Sequence, residues 1–232
     1  PAEVIPTAGV MAGIRLAFSA IVCPGDSAVI PEPSFGEYAR EIRLQGGDPV
    51  PVAHDAVVDV DPTDHALVVV CTPNNPTGEL ADETALRDLA ARCRDAETTL
   101  FVDEAFLDYT AADSLAGEPG VVVARSLTKV FGFPGLRIGF LVATGGVRDR
   151  LDAGRLPWGV STPAAAVGTH CLQQSAFVEA TRDRVVAERD RIRERLSARW
   201  TVFPSDAPFL LVDVGEDDPD EVLAGGREHL VW

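Results

Sequence analysis

The sequence predicts an α/β protein: three layers, α/β/α, around a mostly parallel sheet, followed by part of a smaller α+β C-terminal domain. Three observations carry that expectation. Short apolar runs alternate with helical stretches from Gly9 to Ala143, the pattern of strands and crossover helices. One run, Ala66 to Cys71 (ALVVVC), is apolar without a break, which suits a strand buried on both faces of a parallel sheet. After Gly145 the texture turns to charged, helical sequence before two more strand-like runs.

Taken in order, Gly9 to Val22 (GVMAGIRLAFSAIV) is apolar on most faces, carries Arg15, and stops before Pro24-Gly25, so it reads as a largely buried helix. Ser27 to Ile30 is a short strand ended by Pro31 and Pro33. Phe35 to Gln45 is helical and closed by Gly46-Gly47. Pro49 to Val52 is a strand, and Ala66 to Cys71 another. Asp82 to Arg94 is an amphipathic helix with an acidic start. Thr98 to Val102, Gly120 to Ala124 and Ile138 to Ala143 are three further strands. Gly146 to Ala153 and Pro163 to Gln174 are helical, joined by the Gly/Pro-bearing stretch 154–163. Phe177 to Trp200 is a long charged helix with seven arginines between Arg182 and Arg199. They interleave with Asp183, Glu188, Asp190 and Glu194, while Val185, Ile192 and Leu196 mark an apolar stripe. Mixed signs of charge make this a solvated, ion-paired face rather than a basic recognition helix. Thr201 to Phe203 and Phe209 to Val214 are strands of the smaller unit. The division expected is a larger ligand-binding unit over 1–175, incomplete at its N-terminus. A linking helix and the truncated start of a smaller domain follow over 176–232.

A chain of 232 residues, 46% of them hydrophobic, is long enough for one sizeable core. Its net charge of −16 argues against nucleic acid and anionic membrane surfaces as partners. No apolar run approaches the length of a bilayer span, and no basic-then-apolar leader opens the sequence. The four cysteines, Cys23, Cys71, Cys93 and Cys171, form no CxxC pair and read as buried free thiols of a reducing cytoplasm. His54, His65, His170 and His229 have no metal-like spacing. Of the 20 basic residues one alone is lysine, Lys129. So acid-rich and lysine-poor a composition resembles that of halophilic or GC-rich microbes. An amine that must lose its proton to attack a carbonyl cannot be a guanidinium, which gives a chemical reason for one lysine to stand among arginines.

In open α/β sheets ligands bind beyond the carboxyl ends of strands, and four segments there carry polar or turn residues. The run 66–71 leads into Thr72-Pro73-Asn74-Asn75-Pro76-Thr77-Gly78, where Pro76 holds Asn75 extended and so aims its amide. The strand 98–102 leads into Asp103-Glu104-Ala105-Phe106, and 120–124 into Arg125-Ser126-Leu127-Thr128-Lys129. Arg137 follows the Pro134-Gly135 turn. Asp103-Glu104 could be half of a magnesium–nucleotide site, but the glycine-rich phosphate loop that chemistry needs is missing. A GxGxxG fingerprint and a GxSxG nucleophile elbow are missing as well.

The ordered set Asn-Pro-Thr-Gly, Asp-Glu-Ala, Ser-Leu-Thr-Lys and Gly-Leu-Arg resembles the pyridoxal-phosphate enzymes of the aspartate aminotransferase fold type. Within them it is most similar to the branch of histidinol-phosphate aminotransferase and threonine-phosphate decarboxylase. The resemblance runs from Thr7 through nearly the whole chain. It implies that residues 1–175 are the pyridoxal-phosphate-dependent transferase large domain, that the cofactor is pyridoxal 5'-phosphate, and that the protein is a homodimer acting on a small-molecule substrate. Carried over position by position, Lys129 would form the Schiff base with the cofactor aldehyde and then shuttle protons, within an apolar pocket. Asp103 would face the pyridine nitrogen and keep it protonated, making the ring an electron sink. Asn75 would donate to the ring's phenolic oxygen, and Phe35 would stack on the ring. Arg137, Ser126 and Thr128 would hold the phosphate with the backbone amides of Val10 and Met11, at a helix N-terminus suited to an anion.

The sequence departs from the resemblance in places. Family aminotransferases usually carry Tyr where Phe106 stands, so Asn75 is left as the donor to the phenolic oxygen. Met11 offers its backbone alone. The arm that closes the site in relatives would precede Pro1, and the arginine that binds the substrate carboxylate would follow Trp232, so the chain reads as a fragment. The resemblance implies an enzyme of cobalamin biosynthesis that decarboxylates threonine phosphate. The alternatives are a histidinol-phosphate aminotransferase using 2-oxoglutarate, and an inert or sensing domain that merely binds the cofactor.

Overall fold

The computed structural model describes residues 3–228. Elements run β1 (Val4–Thr7), α1 (Val10–Ile21), β2 (Ser27–Glu32), α2 (Glu37–Leu44), β3 (Asp48–Ala53), β4 (Leu67–Cys71), α3 (Glu83–Asp95) and β5 (Thr99–Asp103). Then come β6 (Val121–Ser126), the single turn α4 (Leu127–Val130), β7 (Gly139–Val142), α5 (Gly145–Gly154), α6 (Thr162–Cys171) and α7 (Ser175–Ser197). A two-stranded pair, β8 (Thr201–Val202) and β9 (Val212–Asp213), precedes α8 (Pro219–Glu228). Seven strands form one sheet in the order β1-β7-β6-β5-β4-β2-β3. The five from β6 to β3 are parallel, and β7 and β1 join antiparallel at one edge.

The sequence dictates this arrangement through the two-residue period of a strand, which sends alternate side chains to opposite faces. Every residue of β4 and β5 is buried. Val69 and Phe101 join Ile14, Phe18, Ile42 and Leu141 in one core. Val68, Val70, Leu100 and Val102 join Leu86, Leu89 and Cys93 of α3 in the other. Two cores on one sheet require helices on both sides, so the predicted three layers and mostly parallel sheet are what the structure shows. The Arg15 fork explains a charge in an apolar helix: Nε donates to Glu41 Oε2 at 3.0 Å and Nη2 to Oε1 at 2.8 Å, above a Glu41 side chain that is fully buried. That pairing holds Glu41 below its ordinary value.

The structure corrects several expectations. Residues Val4–Thr7 form an edge strand that the sequence reading passed over; Pro6 is tolerated there because an edge strand has a free side. Cys71, Cys93 and Cys171 are buried free thiols, but Cys23 is exposed, sitting in the turn where Asp26 accepts from its backbone N–H. The second pair of predicted strands shrinks to two residues each. The Ser205 hydroxyl donates to Phe209 O at 2.7 Å, and the stretch between the strands docks as a loop, with Asp206 N–H donating to Gly78 O at 2.7 Å. The apolar stripe on α7 is shallow: Thr181 is its buried residue, and Ile192 is exposed. Among its described charges Arg191 pairs with Glu188, while Arg199, just past its end, pairs with Asp217. His229 and both chain ends, Pro1 and Trp232, lie outside the described residues. No described helix is long and apolar enough to cross a membrane.

Candidate functional site

The carboxyl ends of β4, β5 and β6 meet the N-terminus of α1 and the approach to α2 around a cavity of about 110 Å³. All nine residues singled out in the sequence line it: Val10, Met11, Phe35, Asn75, Asp103, Ser126, Thr128, Lys129 and Arg137. Four strand-to-loop junctions far apart in sequence converge here because parallel strands end on the same edge. A larger cavity of about 650 Å³ lies beside β7 and α6, walled by Leu127, Ile138, Trp158 and Leu172, with Arg155 its one charged wall residue. Titratable and hydrogen-bonding groups converge in the smaller one, which makes it the candidate site.

At its floor sits Asp103, the last residue of β5, which is 4% exposed. Its Oδ1 accepts from Ala105 N–H at 3.0 Å and its Oδ2 from the Tyr38 hydroxyl at 2.8 Å. Burial pushes the carboxyl up from its ordinary value, and these two donors with the charge of Lys129 only partly oppose that. Burial likewise holds Tyr38 well above its ordinary range and raises the Cys71 thiol to about 12, so both face Asp103 as neutral groups.

The opposite wall is built for an anion. Helix α1 starts at Gly9 with no side-chain cap and no acidic residue in its first turn, leaving free N–H groups and the positive end of the dipole. The Arg137 guanidinium packs there: a Cβ on Gly9 would stand 2.5 Å from Nη2. Gly9 also has φ 82, a left-handed backbone that glycine takes at least cost. Gly139 lets β7 approach closely, since a Cβ there would sit 2.7 Å from Arg125 O and 3.2 Å from Val10 N. Ser126 and Thr128 complete the wall with hydroxyls 2.9 Å apart. A guanidinium stacked on a helix N-terminus repels it unless an anion lies between.

Lys129 stands in the single turn α4 with Nζ 5.2 Å from the centroid of the Phe106 ring. The expectation of an enclosing apolar pocket is not met: Lys129 is exposed. It stands past the end of β6, on a turn too short to sink it into the sheet. Phe106 in turn packs edge-on against Phe209, ring centroids 5.1 Å apart, so the C-terminal loop reaches the site through one aromatic contact. The Asn74 side chain stiffens the loop after β4, donating to Pro33 O and Thr77 Oγ1 at 3.0 Å each and accepting from Ser34 Oγ at 3.0 Å. Asn75 is left at the cavity wall with its amide free of protein partners among the described residues.

Glu104, next to Asp103, points elsewhere. It accepts from Arg125 Nη1 at 3.2 Å and from Leu115 N–H at 3.0 Å, and ties two loops together. Sequence reasoning missed Tyr38 and Cys71. Tyr38 lies three residues after Phe35, across the turn that enters α2, and the two rings meet edge to face at 5.7 Å. That spacing was the available signal.

The fold is that of the aminotransferases of fold type I. The chain belongs to the aminotransferase class I and II family, whose sequence profile matches residues 1–224. It is 35% identical over 211 residues to the threonine-phosphate decarboxylase of Salmonella typhimurium, covering 83% of this chain and 58% of that protein. It is 31% identical over 208 residues to histidinol-phosphate aminotransferase 2 of Archaeoglobus fulgidus, covering 86% of this chain and 60% of that one. The chain thus spans about three fifths of the length of these curated relatives. Its fold matches that of L-threonine-O-3-phosphate decarboxylase from Porphyromonas gingivalis with a TM-score of 0.87 at 23% identity, over 98% of this chain and 71% of that one. It also matches histidinol-phosphate aminotransferase from Sinorhizobium meliloti, solved with pyridoxal-5'-phosphate, with a TM-score of 0.84 at 24% identity, over 94% and 63%. The family's cofactor is pyridoxal 5'-phosphate.

Proposed function

We propose that this pocket holds pyridoxal 5'-phosphate and that the protein decarboxylates a phosphorylated amino acid, threonine phosphate being the substrate class favoured. One observation carries the reading: a single cavity joins the chain's one lysine, an acid whose burial opposes its charge, and an uncapped helix N-terminus with the Arg137 guanidinium beside it. A ring with a protonatable nitrogen at one end and a phosphate at the other answers both needs.

In this reading Arg137, the hydroxyls of Ser126 and Thr128, and the first-turn amides at Val10 and Met11 bind the phosphate. Asp103 holds a proton on the ring nitrogen, and Phe35 covers the ring face. Asn75 donates to the phenolic oxygen. When bound, the cofactor supplies an electron sink for the pair left at the substrate α-carbon. Lys129 would hold the cofactor through its aldehyde carbon, which needs the amine neutral, and, once displaced by substrate and protonated, would deliver a proton to the α-carbon that carbon dioxide has left. Phe106 favours decarboxylation: it has no hydroxyl where family aminotransferases usually carry one, and the Salmonella decarboxylase is the relative with 35% identity. Histidinol-phosphate aminotransferase is the second reading, favoured by the Archaeoglobus relative at 31%. The reading includes a large domain over 1–175, a linking helix and the start of a small domain over 176–232, and assembly as a homodimer.

The test is product analysis. With O-phosphothreonine the protein is expected to release carbon dioxide and aminopropanol phosphate. Transfer of the amino group from histidinol phosphate to 2-oxoglutarate, without that release, would move the assignment to the aminotransferase. Cofactor binding with neither product would leave a sensing or inert domain.

A further inference from the structure

Asp103 cannot act as an ion pair for a ring nitrogen unless it is ionised, and its burial opposes ionisation. The groups that face it are Tyr38 from α2, Cys71 from β4 and Lys129 from α4. The Cys71 thiol lies 3.4 Å from Pro73 O and donates there, so it gives Asp103 little. Lys129 stands at the exposed mouth against the Phe106 face. Tyr38 is different: it is 1% exposed, its hydroxyl is 2.8 Å from Oδ2, and it has no stronger acceptor to serve. A phenol kept neutral by its surroundings is a permanent donor, and a hydrogen bond to a carboxylate is stronger than one to a carboxylic acid.

We propose that Tyr38 is a positioning residue that holds Asp103 as the oriented carboxylate a protonated ring nitrogen requires. The inference rests on the cofactor reading above and deepens it. The backbone of Ala105 fixes Oδ1 and Tyr38 fixes Oδ2, so the carboxylate plane is set by one strand end and one helix turn. Phe35 stands just before α2, its carbonyl accepting from Tyr38 N–H at 3.1 Å and its ring meeting Tyr38 at 5.7 Å. Ring face and ring nitrogen would therefore be served from one helix entry.

The test compares two ligands with the full chain: pyridoxal 5'-phosphate, and its 1-deaza analogue, in which a C–H replaces the ring nitrogen. Affinities are read by absorbance titration. The Tyr38→Phe variant keeps the volume and removes one donor to a charge. It is expected to lose about ten- to hundredfold in affinity for the cofactor and less than about threefold for the analogue. A Tyr38→His variant, which keeps a ring N–H, is expected to recover part of the preference for the cofactor over the analogue. Equal losses on both ligands would mark Tyr38 as a packing residue and overturn the proposal, as would an unchanged cofactor affinity or a histidine variant that behaves like phenylalanine. Failure of the wild-type chain to bind the cofactor would remove the functional reading as well. Intact wild-type binding with an indifferent Tyr38→Phe would remove this inference alone.

Discussion

Strands β4, β5 and β6 and helix α7 stand at opposite extremes of burial. Every residue of β4 and β5 is out of solvent, and only Arg125 of β6 is partly exposed, while α7, with 23 residues, buries Thr181. The strands hold their loops by packing on both faces, so Asn75, Asp103, Ser126 and Lys129 start from fixed points. Helix α7 is held by a few longer-range contacts, such as Arg182 to Asp108 O. Positional accuracy at the site comes from the sheet, and the C-terminal stretch adds the loop docked on Gly78 and the Phe209–Phe106 contact.

The largest effect that sharpens this contrast is chemical. Lys129→Arg keeps the charge but removes the amine, so activity and any visible cofactor band are expected to vanish without loss of fold; retained turnover in a steady-state assay would break the assignment. Next, Leu89→Ala empties part of the core under the sheet and is expected to cost about 2–5 kcal/mol in urea unfolding. Ile192→Ala on α7 is expected to cost about 0.5 kcal/mol or less, and equal costs would abolish the contrast. Gly9→Ala adds a Cβ 2.5 Å from Arg137 Nη2 on a backbone with φ 82. It is expected to cost about 1–2 kcal/mol in stability and to weaken binding of inorganic phosphate or cofactor, measured by titration calorimetry.

The smallest effect is the pH dependence of the cofactor-free protein. Burial raises Asp103 above its ordinary 3.8, so the folded state holds this proton more tightly than the unfolded state. Stability from this group is then complete below 3.8 and is lost as pH rises through the raised value. Melting temperatures of the wild type and Asp103→Asn, measured from acid to neutral pH, are expected to diverge in that direction, with the wild type falling. A wild type that gains on the variant as pH rises would contradict the burial argument.

The sheet was largely legible because β-branched runs such as LVVVC leave few alternatives to a buried strand. The edge strand at Val4–Thr7 was not, since four residues containing a proline carry no readable period. The four loop motifs located the site, since parallel strands must deliver their ends to one edge. Tyr38 was hidden because a buried tyrosine in an amphipathic helix reads as core, and only the register of α2 against β5 brings its hydroxyl to Asp103. The exposure of Lys129 was unreadable for a similar reason: whether a lysine after a strand is enclosed depends on where that turn stands against the sheet.

The central claim is that the single lysine carries the cofactor, and it can be tested by reduction. Borohydride treatment of the full chain with pyridoxal 5'-phosphate, followed by peptide mass mapping, is expected to find the cofactor's mass on the one peptide that contains Lys129. Cofactor recovered free, or fixed only at the N-terminal amine, would contradict the account.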